Sequence, residues 1–168
     1  FGRAPRFFYP THRDLLLAED LEGTPSSFLV LEDDFRFLKD LQERDAVVPV
    51  VGNLVGDHAL AAIGNDARRR GLLVTALYAS NVEYYLWESR TFDRFAQTVS
   101  ELPRHSDGVV IRSYFGGAFR ENHPLQEPGF YSAQLLHRFE DLVRVHEGDG
   151  FQGYHELVTR DAVSLTAR

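Results

Sequence analysis

Cysteine and methionine are both absent from the 168 residues. Without cysteine, disulfides, thiolate nucleophiles and Cys-based zinc sites are excluded together. No run approaches the ~18 consecutive apolar residues of a membrane-spanning helix, and no signal peptide is expected at the start. Positive charge is in the minority. Against 25 Asp and Glu stand 18 Lys and Arg, a net charge of −7, which argues against a broad nucleic-acid-binding face. The one basic run, Arg68-Arg69-Arg70, is expected in the last turn of a helix, where cations complement the carbonyl end of the dipole. The chain begins Phe1-Gly2-Arg3 and is expected to be processed or a piece of something longer. The lack of cysteine leaves the redox compartment open; a cytoplasmic protein without nucleic-acid or membrane partners is expected.

What is present is a folded chain. Hydrophobic content is 43% and aromatic content 12%, enough for one domain with a sizeable core. Three apolar runs stand out: Ala46 to Val51, Leu72 to Ala79, and Val109-Val110-Ile111. Continuous apolar runs of this length mark strands buried on both faces, as in parallel sheets covered by helices. Strands are therefore predicted at 46–51, 73–79 and 108–114. Helices are predicted at 32–44, from Asp57 to Arg70, at 84–87, 92–101, 132–146 and 154–159, and a short one at 12–18. Asp57, Thr91 and Ser132 stand where these helices should begin. Residues 115–131 read as a long, lid-like loop. The predicted fold class is α/β: a Rossmann-like three-layer arrangement, its mainly parallel sheet flanked by helices and incomplete at three strands. It occupies a single domain, 1–168, with an irregular segment at 1–31, the α/β core at 32–146 and a tail at 147–168.

Ligands of such sheets bind beyond the carboxyl ends of the strands, so the residues there are the site candidates. After the first run come Gly52, Asn53, Gly56 and Asp57, a glycine-bearing turn whose amides could cradle an anion at a helix start. A tight strand-to-helix turn that simply requires glycine is the competing reading. After the second run come Ser80, Asn81 and Glu83. Asn81 can donate and accept, and Glu83 could act as a base. The same Ser-x-x-Glu spacing also fits a capping box, in which case Glu83→Gln would be nearly neutral. Arg112 and Ser113 end the third strand. Arg112 needs either an anionic ligand or a structural carboxylate, Glu83 or Glu32. Ser113 lacks a G-x-S-x-G elbow, which leaves a hydrolase pairing it with a loop histidine such as His123 as a minor reading. The seven histidines show no metal-ligand spacing, and no metal is expected. If the sheet is parallel, Asn53, Asn81 and Arg112 should meet at one edge.

The segments VVPVVGNLVG, ALYASNVEYYL and VVIRSYF resemble the core motifs of an uncharacterised bacterial family whose members read VPVVGD, SNVE and IIRS in that order. That family resembles class I S-adenosylmethionine-dependent methyltransferases in fold. The resemblance implies that this chain is similar to a C-terminal portion, with the cofactor-binding N-terminal half missing. S-adenosylmethionine is then expected only in a full-length form, and no cofactor in this chain. The family's aspartate is Asn53 here, which cannot serve as a base. On this basis the chain is expected to bind a small molecule or protein partner at the carboxyl edge of the sheet. The alternative is a methyltransferase lacking its cofactor half, and whether the chain is an enzyme stays open.

Overall fold

Two of the three predicted strands form and pair. A computed structural model describes residues 11–20, 22–115, 123–126 and 132–163. In it β1 (Val74–Ser80) and β2 (Arg104–Tyr114) run parallel, with Leu77 opposite Val110 and Ser80 opposite Arg112. A parallel pair needs a long crossover. Here it is helical, formed by α4 (Val82–Glu88) and α5 (Phe92–Ser100).

The strand predicted at 46–51 does not form. Those residues pair with no strand among the described residues, and Val48 and Val51 are 67% and 101% exposed. Pro49 has no N–H to give a ladder, and apolar composition alone does not bury a run. The third strand is instead β3 (Ala133–Arg138), antiparallel to β2, which makes the sheet mixed, in the order β1-β2-β3. These residues lie within the span predicted as a helix at 132–146. The helix itself, α6 (Phe139–Glu147), starts only at Phe139. Ala133, Leu135 and His137 are buried while Gln134 and Arg138 are exposed, which is the period-two pattern of a half-covered strand.

The helices packed on the sheet settle on the face that carries Val110, Arg112 and Tyr114. Helix α5 presents Phe92, Phe95 and Val99 at helical spacing. They meet Val110, Phe139 and Leu142 of α6, and Leu157 of α7 (Tyr154–Thr159). Helix α3 (Ala59–Arg69) joins this core through Leu60. The basic run lies at the helix end as expected, with Arg68 and Arg69 in the last turn of α3 and Arg70 just after it; Asp66 pairs with Arg69 and Arg70, and Arg68 donates to the Glu101 carbonyl. The predicted side-chain caps are not. His58, not Asp57, precedes α3, and Thr91 donates to the Leu86 carbonyl instead of capping α5.

Close approach explains one glycine in particular. A Cβ at Gly108 would lie 2.8 Å from Phe139 Cδ2 and 2.9 Å from the His105 carbonyl oxygen. Gly108→Ala is therefore expected to cost about 1–3 kcal/mol through overpacking of the β2–α6 contact. Urea denaturation checks this against Gly153→Ala, where an added Cβ meets nothing within 4 Å.

By its contacts the chain divides into two units, 1–50 and 51–168. The first holds α1 (His12–Leu16) and α2 (Glu32–Glu43). Thr11 and Asp14 form a reciprocal capping box on α1, and Glu32, Asp33 and Asp34 crowd the first turn of α2, where acidic groups favour the helix dipole. The loop predicted at 115–131 falls largely outside the described residues. Among those described, no helix is long and apolar enough to cross a membrane.

Candidate functional site

The end of β1 feeds two faces of the sheet. Ser80, its last residue, takes a positive φ of 52°, a conformation that costs a residue with a side chain about 1–2 kcal/mol. This turn lets α4 begin two residues later, with Glu83 in its first turn. From there the Glu83 carboxylate reaches Arg112 on the helix-covered face. Arg112 Nε donates to Oε2 at 2.5 Å and Nη2 to Oε1 at 2.9 Å. Both side chains are buried, at 0% and 1% exposure. A two-pronged, charge-assisted contact is the arrangement that arginine's fork favours. Both carboxylate oxygens are engaged by Arg112 in a fully buried pair, so Glu83 lacks the access to solvent or ligand that a general base needs. Nearby, burial and then the Glu83 charge push the Tyr154 phenol up, so it stays protonated.

The capping-box reading of Ser80 and Glu83 is thereby overturned. No side chain caps α4, and Glu83 is spent on Arg112, one of the two structural carboxylates considered for it. Arg112 and Ser113, adjacent in sequence, point to opposite faces, as strand neighbours must.

On the other face four polar side chains converge. The Ser113 hydroxyl donates to Gln134 Oε1 at 2.9 Å. Ser80 Oγ donates to Ser113 Oγ at 3.3 Å, and Tyr78 Oη lies 3.3 Å from the same oxygen. Ser113 is buried and Tyr78 is 64% exposed, so the cluster runs from the sheet outward. Asn81 follows directly. Its carbonyl accepts from the Tyr84 amide, while its half-buried carboxamide makes no hydrogen bond to the described residues. The pairing of Ser113 with His123 does not arise. The two His123 nitrogens are occupied by the Val158 carbonyl and the Leu125 amide, and its ring lies against Tyr114 on the helix-covered face.

The 52–57 turn bonds mostly to itself. Asn53 Oδ1 accepts from the Val55 amide at 3.0 Å, and the Asn53 carbonyl from the Gly56 amide at 3.0 Å. Asp57 pairs with Arg94 of α5. A Cβ on Gly52 would lie 2.5 Å from that of Ala59, which supports the tight-turn reading of this glycine. Of the residues expected to meet, Asn81 follows Ser80, which stands opposite Arg112 in the register of β1 and β2, while the 46–51 run that was to carry Asn53 to the same edge is not a strand of this sheet.

Sequence reasoning missed Tyr78, Gln134 and His137. Tyr78 and Gln134 could be found only from register, since their relevance is that they flank Ser113. His137 is 3% exposed, and neither ring nitrogen makes a well-formed hydrogen bond among the described residues, although the Val158 carbonyl lies close enough to favour the protonated ring. It lines a cavity of about 10 Å³ with Arg112, Asp141 and Arg160, a volume that accommodates about one water. Among the described residues no three His, Asp or Glu side chains are grouped to hold a metal ion.

The sequence model of a domain of unknown function, DUF7790, matches residues 3–163. No curated protein matches the chain.

Proposed function

This chain belongs to the DUF7790 family, and from that premise we propose that its α/β unit is a binding module for a small, neutral, hydroxyl- or amide-bearing molecule. The site is the carboxyl edge of β1 and β2, with Asn81 as the principal contact and Ser80, Ser113, Tyr78 and Gln134 around it. The observation that carries this reading is Ser80. A non-glycine residue held at positive φ is strain that tends to gather at working sites. Here it sets a hydroxyl on Ser113, and the neighbouring Asn81 carboxamide keeps its hydrogen-bonding groups clear of the described residues. Neutral ligands fit because the charged side chains behind the edge, Glu83 and Arg112, neutralise each other. They act as positioning residues, pinning α4 to β2 and so fixing the Ser80–Asn81 turn. Binding without turnover fits because the side chains that hydrogen-bond Ser113 are Gln134, Ser80 and Tyr78, with no carboxylate or imidazole bonded to its hydroxyl among the described residues.

A second reading, a methyltransferase-like Rossmann architecture, rests on the parallel β1–helix–β2 crossover and the polar residues at its carboxyl end. Fold alone does not give that activity. S-adenosylmethionine would need a glycine-rich turn after a first strand, so this chain is expected to give no calorimetric signal with it. Micromolar binding would favour the methyltransferase over the neutral-ligand module.

Amide NMR spectra titrated with adenosine, glucose and glycinamide test the main proposal. Shifts are expected at Ser80, Asn81, Ser113 and Gln134 with at least one probe, and Asn81→Ala should weaken them at least tenfold without disturbing the rest of the spectrum. Binding that maps elsewhere, or that survives Asn81→Ala, defeats the reading, as does silence with all three probes.

A further inference from the structure

The two outer strands of the sheet are finished differently. Along β3 the Val163 amide donates to the Leu136 carbonyl at 2.8 Å, and Arg138 adds an exposed charge. Such coverings are how proteins keep a strand edge from pairing with another chain. β1 has neither, although its register with β2 shifts between Val74 and Ala76 and between Tyr78 and Ser80. Its outer side has no neighbouring strand among the described residues, and it contains no proline and no charge. The uncharged stretch is longer than the strand, twelve residues from Gly71 to Val82, between Arg70 and Glu83. Leu72, Leu73 and Tyr78 along it are 56%, 54% and 64% exposed.

From these observations we propose that the free edge of β1 pairs antiparallel with β1 of a second copy of this chain, making one six-stranded sheet across a two-fold axis. The edge supplies backbone donors and acceptors in a row, and an antiparallel pair is the self-complementary way to join two identical edges. Charge selects a second copy as the occupant. Two molecules of net charge −7 repel over most of their surface, and like charges set opposite one another on paired strands destabilise them. The Gly71–Val82 strip brings no like charges together when it meets itself. Leu72, Leu73 and Tyr78 would leave water in the same step. This surface rests on the strand's backbone edge and stands whether or not the Ser80–Asn81 site binds a ligand.

Sedimentation velocity over a concentration series tests the proposal. The chain is expected to shift from monomer to dimer as concentration rises. Ala76, exposed on β1, takes a charge in two variants: Ala76→Lys and Ala76→Glu should each weaken self-association at least tenfold with unchanged far-ultraviolet circular dichroism. An equimolar mixture of the two should recover the dimer, which a merely damaged fold would not do. A chain that stays monomeric throughout overturns the proposal, and so do charged variants that dimerise as well as the parent. Should both variants unfold, amide hydrogen exchange on the parent decides. Protection along 74–80 that increases with concentration supports the edge pairing, and exchange that ignores concentration rules it out.

Discussion

Glu83→Gln is expected to lower the unfolding free energy by about 3–5 kcal/mol, the scale observed when one member of a buried ion pair is removed. Glutamine keeps the shape and one acceptor, but it leaves the Arg112 guanidinium charged at 1% exposure with nothing to neutralise it. Arg112→Met should cost a similar amount by stranding the carboxylate. The double change Glu83→Leu with Arg112→Met should return much of the loss, because two well-packed apolar side chains often replace a buried pair at little cost. Urea denaturation of the parent, Glu83→Leu, Arg112→Met and the double variant closes the thermodynamic cycle, with Glu83→Gln measured beside them. A near-neutral Glu83→Gln, the behaviour of a capping residue, would contradict the role assigned to this pair.

The second large effect is on acid stability. Burial first, and then the Arg112 charge, hold the His137 imidazole down to about 3; the His123 charge adds to this, while the Val158 carbonyl and Asp141 oppose it. In the unfolded chain the same group titrates near ~6.5. The unfolded state therefore binds the proton first on acidification. The stability owed to a neutral His137 is complete above about pH 6.5 and is lost progressively as pH falls toward 3, at up to about 1.4 kcal/mol per pH unit. His137→Leu removes the titrating group and fills the space with carbon. Urea midpoints measured from neutral to acid pH should fall less steeply for the variant than for the parent. The difference between the two curves is the readout, since Asp14, Glu156 and His123 also titrate with shifted values and contribute to both. Parallel curves would show that His137 is not buried as a neutral ring.

Much of the helical layer was legible in the sequence because its signals are local. Phe92, Phe95 and Val99 recur at helical spacing, and acidic residues open α2. The runs at β1 and β2 were legible too, since a long, mostly apolar run that ends in polar residues suits a covered strand better than a loop or a surface helix. Composition misled at Ala46–Val51, where four valines say nothing about whether a neighbour exists to cover them. β3 was hidden for a different reason. Arg138 passes straight into Phe139 with no glycine or proline between strand and helix, so a period of two runs unmarked into one of 3.6. At the site, the strand ends named Ser80, Asn81, Glu83, Arg112 and Ser113. Which of them meet depends on pairing register and on the alternation of faces, and neither is written locally. The separation of Arg112 from Ser113, one to each face, is the clearest case.

The position of Phe139 has a consequence during synthesis. Its fully buried ring sits over Gly108 and joins the cluster around Val110, but it follows every strand of the sheet in the chain. A nascent polypeptide that has completed β1 and β2 already has α5 to lay over them but still lacks α6, which adds Phe139 and Leu142 to the same cluster. The β1–β2 ladder joins residues distant in sequence, so it closes late and at the entropic cost of a long loop. Until α6 leaves the ribosome, the part of this apolar face that Phe139 and Leu142 cover stays open to water and to other chains.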